Sequence, residues 1–588
     1  MGVGWSRTSR HMLSRRVSRR LRVPRCGWAS HLQRLLSAHR IGRPHRHLER
    51  AFTRLAIGVF VIALTATHSR AGSVLAANEM NSEHPERLKA CVVSFNEPDE
   101  LEAFRAHLDR TQFDFVDIRA VAVATQPAAQ NTFASSDPSW LLNACTPETT
   151  CDLMVYSAEF AGRFFGKQGV SLSLQAMEEA SCQARCAGLF QRPREVFLLA
   201  CNTLATKDED SRSPEEYLRV LLDHGFDRSS AERVVELRYG PLGPSFRESL
   251  RRVFAGVPRI YGFSSVAPRG AYTAPMLARY LRGEPDYART LLRKTKDNSR
   301  NAALFDSFKG TSLAQTYGLT AAEAAAVDRE HICALYDETR SVAERLRIAY
   351  GFLSRPDALT FVPTVEVFLS RHSPSGFSEL ERPIFVAIQS LDAARDAVLD
   401  LVHQLNVSAL KLELAHFALL VGWLEQSEFH RLAVDGATQL LRQRLSAELV
   451  DIMCEITKHE SLRGDFNADN IPAPVYNDAD GLRLLSCLAP ADPRVTTRVV
   501  RQLKSSDPAS RQWAAHTVTQ LIPRDEDTLT ELVPYVRDPS PEVAERIRWL
   551  FQAQERLPAG VERVLREVDP VLLRERAAVP AVKSGRAS

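Results

Sequence analysis

The sequence predicts an α/β domain, a mostly parallel sheet with flanking helices, followed by an all-α region. Two uninterrupted apolar blocks, Leu153-Met154-Val155-Tyr156 and Val196-Phe197-Leu198-Leu199-Ala200, have the length and composition of strands buried on both faces of a parallel sheet. Strand and helix patterns alternate around them, as parallel strands joined by right-handed crossovers require. From Tyr272 onward the apolar residues recur at helical spacing, with no strand pattern.

The α/β domain is expected over 87–270. Leu88–Phe95 reads as a strand centred on Cys91-Val92-Val93, Pro98–Leu108 as a helix with Leu101, Phe104 and Leu108 on its apolar face, and Phe113–Ile118 as the next strand. A polar loop over 125–138 leads to a short helix at Trp140-Leu141-Leu142. Gly162–Gly166 reads as a turn, and Ser173 as the N-cap of a helix. The block that ends at Cys201 is followed by helices from Pro214, Ser229 and Ser245 and by a last strand, Arg259–Ser265.

An all-α helical region is expected over 271–465. Ala322–Tyr336, Ser341–Leu353, Ile384–Leu405 and Ser427–Glu455 all carry apolar residues three and four apart, and Leu410, Leu414, Phe417, Val421 and Leu424 form one continuous helix face. His416 lies next to that face, where packing or surface placement accounts for it. Over 480–556, Asp507-Pro508 with Arg511 recurs 31 residues later as Asp538-Pro539 with Val543, and Asp492-Pro493 precedes both. Each Asp-Pro can start a helix, with Asp as cap and Pro in the first turn. Helix pairs spaced this way resemble HEAT repeats, whose stacked units expose a concave protein-binding face. An ordinary helical bundle is the alternative. Residues 570–588 read as a disordered tail.

Charge is unevenly placed. Residues 1–54 carry fourteen Arg, no Lys and one acid, Glu49, a balance of +13; the whole chain is at +4, so the remainder is at −9. Nothing after residue 70 therefore points to a nucleic-acid partner on charge grounds. Behind Arg54, the apolar run Leu55–Leu64 and the small residues up to Ala76-Ala77 have the order of a secretory signal, so residues 1–76 read as a basic leader with cleavage after Ala76. Left uncut, the 55–69 segment would associate the chain with a membrane and send the remainder outward, although its apolar core is short of the roughly twenty residues that span a bilayer. The expected location is exported, periplasmic or secreted, or anchored; a mis-called start would leave the chain cytoplasmic.

Nine of the ten cysteines follow the leader. Cys145 with Cys151, and Cys182 with Cys186, are close pairs that suit disulfides in an oxidising compartment or plain burial. Neither has the two-residue gap of a zinc knuckle, so no metal or other cofactor is expected. Cys201 has no close partner.

The candidate site lies at the ends of the two apolar blocks, where Glu159 follows the first and Cys201 ends the second. Sites in open α/β sheets form just beyond the carboxyl ends of strands. A hydrophobic block closing on Ala200-Cys201, after an earlier block that closes on a polar residue, resembles the caspase-like cysteine peptidases, a group that includes clostripain-, legumain-, separase- and CHAT-type domains. The resemblance covers about a third of the chain. It implies that Cys201 occupies the nucleophile position and that the preceding block delivers a His-Gly general base. Here Glu159 stands at that base position, in Tyr156-Ser157-Ala158-Glu159-Phe160-Ala161-Gly162. A carboxylate beside a thiol disfavours the thiolate, whereas an imidazolium favours it. The other His-Gly pair, His224-Gly225, follows the cysteine and ends the Pro214 helix, where Gly is the ordinary stop. Without the resemblance, Cys201 is a small buried apolar residue at a strand end.

Two functions are expected on these grounds. One is a catalytically inactive caspase-like domain on a HEAT-like scaffold that binds a protein or peptide partner through the helical region and the caspase-like cleft. The other is an active cysteine endopeptidase using Cys201.

Overall fold

The computed structural model describes residues 87–588 except 96–98, 126–138, 167–170, 208–211, 294–298, 407, 442–449, 451–452, 455–472, 555 and 579–588. The leader and the 55–69 segment lie outside the described residues. Among the described residues, no helix is long and apolar enough to cross a membrane.

Nine strands occur among the described residues: β1 Leu88–Ser94, β2 Phe113–Asp117, β3 Leu153–Ser157, β4 Glu159–Phe160, β5 Arg163–Phe165, β6 Ser171–Ser173, β7 Glu195–Leu199, β8 Ile260–Phe263 and β9 Leu313–Thr316. Six of them make one sheet in the order β2-β1-β3-β7-β8-β9, parallel throughout except for the antiparallel pair β8–β9. Pairing of Ser157 with Leu199 ends β3 and β7 at the same level, so the residues just beyond the two strands share one rim. Helices cover both faces, as the apolar blocks require. Met154, Tyr156 and Leu198 pack with Phe160, Phe164 and Leu250 on one side; Val155, Phe197 and Leu199 pack with Phe104, Tyr261 and Leu277 on the other.

The structure departs from the sequence reading in four places. The sheet continues past 270: after three helices β9 adds an edge strand within the stretch expected to be purely helical. Its residues Leu-Ala-Gln-Thr are all partly exposed, so this edge strand lacks the apolar run that marks the central ones. The expected turn at 162–166 is instead the middle of a three-stranded antiparallel sheet, β4-β5-β6. There Gly162 takes a left-handed φ of 86°, and a Cβ on it would stand 2.8 Å from Leu237.

The third departure is the tail, since Pro570–Ala578 is a helix. Asp569 caps it by accepting the Leu572 N–H at 3.2 Å and pairs with Arg548 at 2.9 Å. Asp569-Pro570 continues the 31-residue spacing of Asp507-Pro508 and Asp538-Pro539, and Arg511 correspondingly pairs with Asp538 at 3.0 Å. Arg-to-Asp contacts thus link successive C-terminal helices.

The fourth is the disulfides. Neither close pair is bonded. The bonds are Cys91–Cys151, Cys145–Cys186, Cys182–Cys333 and Cys454–Cys487. Pairing of β1 with β3 brings Cys91 near Cys151, a tertiary fact that spacing along the chain does not carry.

One helix, Leu174–Cys182, fastens the sheet to the helical region. Glu178 accepts the hydroxyls of Tyr336 and Thr364 at 3.2 Å each and pairs with Arg252 at 3.0 Å. Glu179 holds Arg371 through two 2.7 Å hydrogen bonds, and Cys182 is bonded to Cys333. From Ile332 to Leu572 the helices share one continuous apolar core.

Candidate functional site

Cys201 sits two residues beyond the end of β7 and is partly exposed. The chain is tied there to the end of β8. Asn202 donates its N–H to Ser265 O at 2.7 Å, Leu204 donates to Phe263 O at 3.0 Å, and the Thr203 hydroxyl accepts from Phe263 N–H at 3.1 Å. Gly262 permits the approach, because a Cβ on it would lie 2.5 Å from Thr203 Oγ1. Asn202 takes a left-handed φ of 62°, a conformation Asn adopts more readily than most residues. Its buried Oδ1 accepts from the hydroxyl of Tyr217 and from Arg238 at 3.5 Å. Arg238 and Arg212 lie over the Tyr217 ring at 4.2 and 4.7 Å, and Arg212 also donates to Ser265 Oγ at 3.1 Å. These contacts lock the turn that carries the cysteine.

Glu159 opens β4 and is exposed, yet its charge reaches Cys201. Burial pushes the thiol up to about 11; the Ala267 N–H, 3.2 Å from Sγ, opposes the rise, and the negative field of Glu159 adds to it. Among the described residues Cys201 is the free cysteine, and no histidine contributes to that shift. His224 ends the helix Pro214–Asp223, exposed, with its Nδ1 2.8 Å from Val220 O. The structure therefore brings Glu159 and Cys201 to one rim and leaves His224 as a helix-end residue.

Sequence reasoning missed Asn202, Tyr217, Arg238 and Glu100. The buried Glu100, on the helix Asp99–His107, accepts the hydroxyl of Ser157 at the end of β3, and burial raises its pKa. Each of these is a polar residue within a helix or turn whose role depends on a strand end far away in sequence. Glu100 shares an acidic first turn with Asp99 and Glu102, so its residue type gave no signal of burial. Among the described residues no group of three or more His, Cys, Asp or Glu is placed to hold a metal ion.

No family model, curated protein or solved structure matches the chain.

Proposed function

We propose that the protein is a disarmed caspase-like peptidase: an exported caspase-like domain without catalytic activity, joined to a HEAT-like helical scaffold and acting by binding a protein or peptide partner. The observation that carries this reading is the state of Cys201. A thiol pushed up to about 11 is almost wholly protonated at neutral pH, and the thiolate is the nucleophile. Glu159 stands where the resemblance calls for an imidazole and adds to the protonation. Positioned acid-base groups contribute about a hundred- to ten-thousand-fold in rate, so their absence removes most of a peptidase's advantage.

The rest of the chain supports the binding half of the reading. Successive Arg-to-Asp contacts, Arg511–Asp538 and Arg548–Asp569, suit stacked helical repeats, which present extended surfaces to partners. Four disulfides suit an oxidising compartment, in keeping with an exported protein. The active reading draws on one observation, the Ala267 N–H that favours the thiolate.

The test is alkylation by iodoacetamide across pH for the wild type, Cys201→Ala and Glu159→His. Labelling of Cys201 only at high pH, moved to lower pH by Glu159→His, agrees with a disarmed cleft. Labelling well below pH 8 in the wild type overturns the proposal and directs attention to peptide substrates.

A further inference from the structure

Between the α/β domain and the helical region lies a cavity of about 190 Å³. An apolar cavity of about 150 Å³ can hold a benzene molecule, whereas drug-sized ligands take roughly 300–1,000 Å³. This space therefore suits a molecule built on a single ring. Leu174, Leu237 and Phe246 line it from the sheet side, and Leu410 and Leu414 from the helical side.

The charged side chains on its wall are already engaged. Arg233, 7% exposed, meets Glu413 at 2.9 Å across the seam. His416, 3% exposed, places Nδ1 3.2 Å from Glu366. Arg163, which completes the charged part of the wall, likewise has contacts of its own. An ion of either sign would have to shed its water and compete with these contacts, and burying an ionised group costs far more than burying a neutral one. An uncharged ligand meets neither cost.

The neutral polar side chains of the wall differ in what they have left to offer. The hydroxyls of Ser249 and Ser370 donate to Ser245 O and Val367 O at 3.1 and 3.0 Å, and that of Ser173 accepts the Ala176 N–H at 3.1 Å. Gln175, half-exposed in the first turn of the helix Leu174–Cys182, makes no hydrogen bond within the protein among the described residues. Its amide offers an acceptor oxygen and two N–H donors, which a carboxamide can meet with a donor and an acceptor of its own.

We propose that this cavity binds a small uncharged molecule of about one ring, its apolar body against Leu174, Leu237, Phe246, Leu410 and Leu414 and an amide-like group on Gln175. Such a ligand touches the sheet side and the helical side at once, so its binding strengthens the seam between them. The cavity does not involve Cys201, and the proposal stands or falls independently of the peptidase reading.

The experiment is isothermal titration of the purified full chain with benzamide, sodium benzoate and benzylammonium chloride, three probes of one shape and three charges. Saturable one-to-one binding of benzamide is expected, with both ions at least about tenfold weaker. Gln175→Leu is expected to weaken benzamide about fivefold, the worth of its hydrogen bonds. Ser370→Phe, at the half-exposed end of the wall, should abolish binding by filling the space. Absence of benzamide binding, equal binding of either ion, or benzamide binding indifferent to Gln175→Leu or to Ser370→Phe overturns the proposal. Should Ser370→Phe fail to fold, the comparison with the two ions and Gln175→Leu decide the matter.

Discussion

The Sγ of Cys201 accepts the backbone N–H of Ala267 at 3.2 Å. One backbone donor favours the thiolate, yet the pKa still rises to about 11, because burial outweighs it and Glu159 acts with burial. The folded state therefore holds its proton more tightly than the unfolded chain. That contribution to stability is present below the unfolded value of about 8.5 and is lost as pH rises through about 11. Glu159→Gln should lower the pH of half-maximal alkylation but leave it above about 8.5, since the larger cause remains. Mass spectrometry of the iodoacetamide adduct gives the midpoint. A value at or below about 8.5 would mean that the carboxylate, not burial, keeps the thiol neutral.

Glu100 supplies a pH prediction of its own. Burial raises its carboxyl, so its stabilising protonated form is fully present below the unfolded value of about 4.3 and is lost as pH rises through the folded value. Ionising the buried group therefore costs stability as pH rises. Glu100→Gln keeps an acceptor for Ser157 and removes the charge, and is expected to raise Tm at pH 7 by about 1–3 °C. The gain should vanish at about pH 4. A lower Tm at pH 7 would show that the charge itself is needed there.

Cys182–Cys333 closes a sequence separation of 151 residues. In the loop-entropy account a bridge of that span stabilises by about 5 kcal/mol. The double variant Cys182→Ser, Cys333→Ser should lose up to about that amount in non-reducing urea denaturation. The Glu179–Arg371 pair and the hydrogen bonds from Tyr336 and Thr364 to Glu178 remain, so the variant should still unfold in a single transition. Two separated transitions would show that the disulfide alone couples the sheet to the helices.

Glu195 and Arg259 form a fully buried ion pair at 2.7 Å, with the hydroxyls of Tyr261 and Tyr287 also donating to Glu195. Removing one member strands the other in the core. Arg259→Ala is expected to cost about 3–5 kcal/mol in chemical denaturation. A cost under about 1 kcal/mol would mean that the two tyrosines satisfy the carboxylate unaided.

How much of the site was legible depended on how local the signal was. The strands that carry it, β3 and β7, are uninterrupted apolar runs, and their ends are marked by polar residues, which makes Glu159 and Cys201 stand out. Ser173 was recognisable as a helix cap because its hydroxyl serves an N–H three residues on. Arg238 and Tyr217 were not recognisable. Nothing in their helices announces that both side chains converge on Asn202. The Asp-Pro at 569 is visible in the sequence, but it lies against a tail whose composition suggests disorder.

The amino-acid sequence by itself determined the periodic features: the central strands of the sheet, the amphipathic helices, where several of them start, and which two polar residues follow the central strands. Those arise from backbone geometry and burial acting over a few neighbouring residues. Only the tertiary structure decided the cysteine pairing, the addition of β9 to the sheet, the seam built on Glu178 and Glu179, and the protonation of Cys201. Each of these depends on distances between chain segments remote in sequence, and on the water those segments exclude, neither of which has a local period to read.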